Sequence, residues 1–277
     1  MHLRSVLSRL ARGVIRIACK AMPDKLAVVM HENTDLVRIL DYADASIYLH
    51  VESDVELRVR LHSVAKEPEM LPWIRNSLRP GEVFYDIGAN IGAYSLLASA
   101  AHAGGIDVFA FEPGATNYAQ LCRNIALNKW SSRITPFPIA LSEKHGLVTF
   151  GYSDLTAGAA LHSVGPAVGM GGMPYVQRVM GMPLDELIHD YGLPSPNAIK
   201  IDVDGAERGV ILGASGTLRA EGLRSVLIEL EEDTEDFTEI HERLKDAGFF
   251  LKEKHRCVPG ATDPQLARFH NFVFERA

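Results

Sequence analysis

The chain has 277 residues, enough for one enlarged domain or for a domain with an appendage. Apolar residues at 47% and charged residues at 23% are ordinary for a globular protein, which excludes extended disorder, collagen-like repeats and a disulfide-stapled miniprotein. With 28 basic against 35 acidic residues the formal charge is −7, which would repel a polyphosphate backbone, so no nucleic-acid partner is expected. Cys19, Cys122 and Cys257 lie far apart and form neither a CxxC pair nor a zinc knuckle. Their odd number suits a reducing compartment, so the expected location is cytoplasmic. No apolar run reaches the roughly 18 residues that a spanning helix needs.

Residues 1–23 differ from the rest. Arg4, Arg9, Arg12, Arg16 and Lys20 are basic and no acid precedes Asp24. At helical spacing Leu3, Val6, Leu7, Leu10, Val14 and Ile17 share a face, while Arg9, Arg12, Arg16 and Lys20 gather opposite. Such an amphipathic basic helix can pack on a protein surface or rest on an anionic membrane at its inner side. The arginines within the apolar stretch argue against a cleaved secretory signal.

Residues 24–79 read as a β-rich cap followed by a helix. Three short β-like runs, 36–40, 46–51 and 55–61, are separated by polar turns such as Glu52-Ser53-Asp54. A helix is expected over 67–78, with Pro68 in its first turn and Arg79-Pro80-Gly81 as its stop.

From residue 80 to 277 strands and helices alternate, the pattern of a layered α/β domain with a mainly parallel sheet. Strands are expected at 83–87, 107–111, 134–139, 198–203, 225–230, 249–251 and 271–274, with helices at 91–101, 116–127, 206–212 and 238–247. The segment 151–182 interrupts this alternation. It is rich in glycine and nearly devoid of charge, which suits an active-site lid better than a structureless surface loop.

Three strand ends carry chemistry. The run Val83 to Ser95 is an apolar strand passing into the turn Asp86-Ile87-Gly88-Ala89-Asn90-Ile91-Gly92 and then a helix. Gly88 permits the tight turn, and Gly92 is expected to let the backbone approach a ligand. The spacing departs from the dinucleotide fingerprint, because Asp86 precedes the first glycine and Asn90 replaces a required one. An acid there repels a pyrophosphate and suits a cation. Glu112 ends the next strand, 20 residues after Gly92, the interval at which a carboxylate takes a ribose diol. The third end, Lys200-Ile201-Asp202-Val203-Asp204-Gly205-Ala206-Glu207, sets two acids where open α/β sheets bind ligands.

These strings, with Phe111-Glu112-Pro113, Ala140-Leu141-Ser142 and Val226-Leu227-Ile228-Glu229, occur in one order that resembles the FkbM-type methyltransferases, class I S-adenosylmethionine-dependent enzymes. The resemblance runs from about Pro80 to the C-terminus. It implies a class I, Rossmann-like, seven-stranded mainly parallel sheet with helices on both faces and its last strand antiparallel. It implies S-adenosylmethionine as cofactor, with Asp86, Gly88, Asn90 and Gly92 around the methionine and ribose, Glu112 on the ribose, and Ala140 and Leu141 by the adenine. Many members carry Glu where this chain has Asp204.

Methyl transfer asks the protein to align an acceptor and remove its proton. Asp202, Asp204 and His162 in the glycine-rich segment are the candidates for a base. Clustered acids such as these can bind Mg²⁺, but their spacing is not distinctive, so no metal ligands are assigned. The expected activity is O-methylation of a hydroxyl on a small-molecule or glycan acceptor, a sugar or secondary metabolite. The alternatives are an NAD-dependent oxidoreductase and a binding module without turnover.

Overall fold

A computed structural model of the chain describes residues 13–15, 17–160, 163–164, 173–257 and 268–276. The chain divides after Val37 into two compact units. In the first, residues 13–15 and 17–21 are helical, and a second helix, Asp24–Glu32, follows Pro23.

The strands in chain order are β1 (Val37–Ile39), β2 (Tyr48–His50), β3 (Val83–Ile87), β4 (Asp107–Phe111), β5 (Ile134–Phe137), β6 (Ala140–Leu141), β7 (Gly146–Tyr152), β8 (Ser163–Val164), β9 (Tyr175–Met182), β10 (Ala198–Ile201), β11 (Ser225–Glu231), β12 (Phe249–Arg256) and β13 (Phe269–Arg276). Seven of them form one sheet in the order β12-β13-β11-β10-β3-β4-β5. Within it β3, β4, β5, β10 and β11 run parallel and β13 is antiparallel to both its neighbours. This is the Rossmann-like arrangement of class I methyltransferases. The chain winds outward from β3 through β4 to β5, then returns to β10 on the other side, so the strand order reverses between β3 and β10. A crevice opens at such a reversal, beyond the carboxyl ends of the strands.

At the centre of the sheet both faces are covered, which is why β3, β4 and β10 are mostly apolar along their length rather than at alternate positions. Phe84, Val108, Ala110, Leu227 and Val273 face one core with Trp73, Ile74, Leu96 and Leu121. Tyr85, Ile87, Phe111, Ile199, Val226 and Ile228 face the other with Val210, Ile211, Ile240 and Leu244. Polar atoms that enter these layers are paired: the Trp73 indole Nε1 donates to Ser225 Oγ at 2.8 Å, and Asn271 Nδ2 donates to Glu69 Oε1 at 2.9 Å.

The segment before β3 departs from the expected β-rich cap. Two of the three runs form a two-stranded ribbon, β1 and β2, but the third folds into the helix Asp54–Arg58, a 3₁₀ turn Arg60–His62 and the short helix Ser63–Lys66. The cause is a reciprocal cap. Ser53 Oγ accepts from the Glu56 N–H at 3.0 Å while Glu56 Oε2 accepts from the Ser53 N–H at 2.9 Å, a local bond set that outweighs the β-branched character of Val55 and Val59. The next helix spans Met70–Ser77, a turn later than expected.

Of the glycine-rich segment 151–182, expected to be a lid, residues 161–162 and 165–172 lie outside the described residues, and its ends belong to strands. β7 and β9 pair antiparallel from Gly146↔Gly181 to Tyr152↔Tyr175, in a second sheet of order β6-β9-β7-β8. A helix that the sequence reading omits, Leu184–His189, follows Pro183.

Candidate active site

The crevice at the reversal point is lined from both directions. Gly88, Asn90, Glu112, Ala140, Leu141, Asp202 and Asp204 all face it. Asp86 and Gly92, expected there too, do not, and His162 lies outside the described residues.

Gly88 adopts φ +79°, and a Cβ built on it would lie 1.8 Å from the Asp202 carbonyl oxygen. The glycine is therefore required by the approach of two strand ends, β3 and β10, as well as by the turn. Gly92 corrects the sequence reading. At φ +87° it caps the helix Ala93–Ala101, and its missing Cβ leaves room for Leu121 Cδ1 at 2.5 Å, not for a ligand.

Asn90 takes a left-handed φ of +51°, which asparagine tolerates better than most residues. That conformation turns its backbone N–H onto Glu112 Oε2 at 2.9 Å and lets its side chain donate to the Ala159 carbonyl at 2.8 Å. The other Glu112 oxygen accepts from the Gly114 N–H at 2.7 Å. Burial pushes the Glu112 carboxyl up to about 7, against these two backbone donors and the Arg60 charge, which hold it down. The result is a buried, geometrically fixed acceptor at the end of β4.

Asp86 corrects the reading as well. It is fully buried beneath the crevice, with Oδ2 accepting from Ser95 Oγ at 2.6 Å and Oδ1 lying 3.5 Å from Lys200 Nζ. Lys200 is its cross-strand neighbour in the parallel register of β3 and β10. The same ammonium reaches Asp202 Oδ2 at 3.2 Å and sits 5.3 Å from the centre of the Tyr94 ring. Burial disfavours charge on Lys200, yet Asp202, Asp86 and Glu67 outweigh it and keep the ammonium protonated. Burial likewise opposes charge on Asp202, but Lys200, Lys66 and Arg60 prevail and hold its carboxyl below the usual range. Asp202 is thus an ion-paired carboxylate and a weak base.

Asp204 sits at φ +53° next to Gly205 at φ +96°, a left-handed turn that a short Asp accommodates more readily than Glu would. Glu207 faces back into that turn, accepting from the Gly205 N–H at 3.1 Å.

Glu229, one strand over from Asp202 at the end of β11, also lines the crevice. Burial, then the Asp202 charge, raise its carboxyl to about 8, while a hydrogen bond with the buried Cys257 partly offsets them. It forms no ion pair among the described residues. With Glu112 and Glu207, it is one of three carboxyls here raised to near neutral pH.

Sequence reasoning missed the positive side of the crevice. Arg60 and Lys66 enter it from the helical segment that stands where a strand was expected. Arg60 Nε donates to the Gly158 carbonyl at 2.9 Å, and Lys66 Nζ pairs with the buried Glu67 at 2.6 Å. Glu67 in turn accepts from the Tyr94 hydroxyl at 2.7 Å. The Ser53-x-x-Glu56 pattern was the available signal that this segment is helical. Among the described residues no group of three or more His, Cys, Asp or Glu side chains is arranged to hold a metal ion.

The family model for the methyltransferase FkbM domain matches residues 86–251, more than half of the chain. The chain belongs to the FkbM methyltransferase family. Among its relatives, the hexuronic acid methyltransferase AglP of Haloferax volcanii is 26% identical over 186 residues, 67% of this chain and 72% of that one. The 31-O-demethyl-FK506 methyltransferase FkbM of Streptomyces tacrolimicus is 28% identical over 216 residues, 69% of this chain and 81% of that one. A crystal structure of methyltransferase FkbM from Methylobacillus flagellatus KT superposes with a TM-score of 0.46 at 15% identity, over 77% of this chain and 61% of that one. The matched region contains the strand ends of β3, β4, β10 and β11, and so the FkbM-type assignment and the crevice coincide in sequence.

Proposed function

We propose that the chain is an S-adenosylmethionine-dependent O-methyltransferase acting on a hydroxyl of a sugar, glycan or secondary metabolite. The observation that carries the donor is the Glu112 carboxylate, buried and fixed by two backbone N–H groups at the end of β4. Each of its oxygens keeps a lone pair for a further donor, which matches the two hydroxyls of an unphosphorylated ribose. The donor set fits the rest of the group too. Asp202 and Asp204 suit a cationic ammonium or sulfonium, Arg60 and Lys66 suit a carboxylate, and Ala140, Leu141 and Phe150 supply apolar walls for a base ring.

When bound, the donor supplies an already activated methyl group, so the protein's share of the reaction is placement and proton removal. Glu229 is placed to accept the acceptor's hydroxyl proton, since its carboxyl titrates near the working pH. Asp202, kept ionised by Lys200, serves the cationic donor rather than the proton transfer. For the acceptor the support is the relatives' names, one on a hexuronic acid and one on a demethylated oxygen of FK506.

Calorimetry with S-adenosylmethionine and its demethylated product, followed by transfer from radiolabelled donor into uronic-acid glycans and hydroxylated metabolites, tests this reading. Heat with both ligands and label in an ether-linked product are expected. Folded protein that gives no heat removes the donor assignment, and binding without label into any acceptor favours a module without turnover.

A further inference from the structure

Glu112 is gripped by Asn90, and the placement of Asn90 is decided elsewhere. Its backbone N–H goes to Glu112, and both ends of its side chain are engaged as well. Oδ1 accepts from the Ile91 N–H at 2.9 Å, and Nδ2 donates to the Ala159 carbonyl at 2.8 Å. Asn90 therefore joins Glu112 to the segment 157–160.

That segment belongs to neither a helix nor a strand, so its backbone groups need side-chain partners. Four successive carbonyls have them. Those of Ala157, Gly158 and Ala160 accept from Ser53 Oγ at 2.8 Å, Arg60 Nε at 2.9 Å and Ser153 Oγ at 2.7 Å. The Ala159 carbonyl, shared with Asn90, accepts also from Asn117 Nδ2 at 3.2 Å. Asn117 holds the segment twice, because its Oδ1 accepts from the Gly158 N–H at 2.9 Å. It is fully buried on the helix Ala115–Leu127 and lines no part of the crevice, so contact with a ligand does not account for it. On the opposite side Gly158, at φ +82°, approaches so closely that a Cβ would lie 2.7 Å from Glu56 Cγ. Glu56 has little room to retreat, since Gln120 Nε2 donates to its Oε1 at 2.9 Å.

We propose that Asn117 is a positioning residue for the methyl donor: by pinning Gly158 and Ala159 it fixes the Asn90 side chain, and through Asn90 the backbone N–H that aims Glu112. This role rests on the proposed assignment of Glu112 to the donor's ribose. A supporting layer of this kind lets the ligand meet a carboxylate already in place, with no ordering cost on binding.

Calorimetry with S-adenosylmethionine and its demethylated product on the wild-type, Asn117→Ala and Gly158→Ala proteins tests the role, with unfolding midpoints taken alongside. The two variants loosen one segment from opposite sides, and neither removes a group assigned to the ligand. Each should weaken affinity for both ligands by about tenfold. The pH dependence separates positioning from packing. The Asn90 N–H favours ionised Glu112, so loosening it raises the carboxyl further, and the pH below which affinity falls should move upward in Asn117→Ala. Arg60, Asp204 and the Tyr152 hydroxyl are the charged and titratable groups acting on Glu112, and the substitution removes none of them. Folded Asn117→Ala with wild-type affinity and an unmoved pH profile overturns the role and leaves Asn117 a packing residue. If Asn117→Ala does not fold, Gly158→Ala decides on affinity by the same criterion. Folded wild-type protein that binds neither ligand is a different failure: it removes the donor assignment, and the role of Asn117 falls with it.

Discussion

The two sides of the crevice are held by different physics. At the ends of β3 and β4 the polar groups are fixed by backbone: Asn90 and Gly114 N–H groups grip Glu112, and Gly88 closes against the Asp202 carbonyl. At the ends of β10 and β11 they are fixed by charge: Lys200 lies between Asp86 and Asp202, and Glu229 stands beside them, hydrogen-bonded to the Cys257 thiol. A backbone-held side is suited to binding one invariant ligand, because its geometry costs little to maintain when the ligand arrives. A charge-held side responds to protonation, which is what an acceptor that must lose a proton requires. On the proposed reading the first side holds the donor's ribose and the second removes the acceptor's proton.

The charge-held side should break most sharply. Lys200→Met leaves the fully buried Asp86 without its cation, which is expected to destabilise the fold by about 3–5 kcal/mol in urea unfolding. A loss below about 1 kcal/mol would mean that the Lys200–Asp86 pair contributes little to the fold. Glu229→Gln keeps shape and removes the proton acceptor. The rate of methyl transfer should fall by about a hundredfold or more while donor affinity in calorimetry is unchanged. An unaltered rate would return the role of base to Asp202, Asp204 or His162.

On the backbone-held side, Gly88→Ala places a methyl group against a carbonyl that cannot yield without separating β3 from β10. A loss of about 3 kcal/mol in stability, with donor binding abolished, is expected. Glu112→Ala is milder for the fold. It removes the acceptor proposed for the ribose and should weaken donor affinity by about 2–4 kcal/mol, read by calorimetry on protein with an unshifted unfolding midpoint. Unchanged affinity would take Glu112 out of the site.

The same contrast explains what was legible before the structure. Asp86 to Gly92, Glu112 and Lys200 to Glu207 are strand ends, and strand, turn and acid follow one another within a few residues, so local spacing suffices to find them. Their assignments failed where packing decides. Asp86 was expected at the ligand because it precedes the glycine turn, but alternation along β3 turns it under the crevice toward Ser95 and Lys200. Gly92 answers to Leu121 on a helix 29 positions later in sequence, a contact no local pattern carries. Arg60 and Lys66 come from a segment whose β-branched residues concealed its helical cap. Asn124 in the helix Ala115–Leu127 and Asn128 at its C-terminal cap show the same limit: they accept from the His50 and Tyr48 N–H groups at 2.9 and 2.8 Å and so hold β2 in place. Nothing near residue 124 in sequence announces that role.

The smallest expected effect is the most diagnostic, because it has opposite signs for the fold and for the ligand. Burial raises Glu112 to about 7, well above its range in an unfolded chain. A carboxyl with a raised folded value binds its proton more tightly in the native state, so its contribution to stability is complete below the unfolded value and is lost as pH rises through the folded one. Glu207 and Glu229, raised to about 7 and about 8 chiefly by burial, act in the same direction. The unfolding free energy of the ligand-free protein, read by urea titration, should therefore fall as pH rises from about 5 to about 8, by up to about 1.4 kcal/mol per pH unit from Glu112. Donor affinity should move the other way. If a ribose diol donates to ionised Glu112, binding below about pH 7 must first release its proton, and affinity drops up to about tenfold for each unit of acidification. Glu112→Gln should flatten the affinity profile and make the stability profile shallower, and a donor affinity independent of pH in the wild-type protein would show that the buried carboxyl is not what the ligand meets.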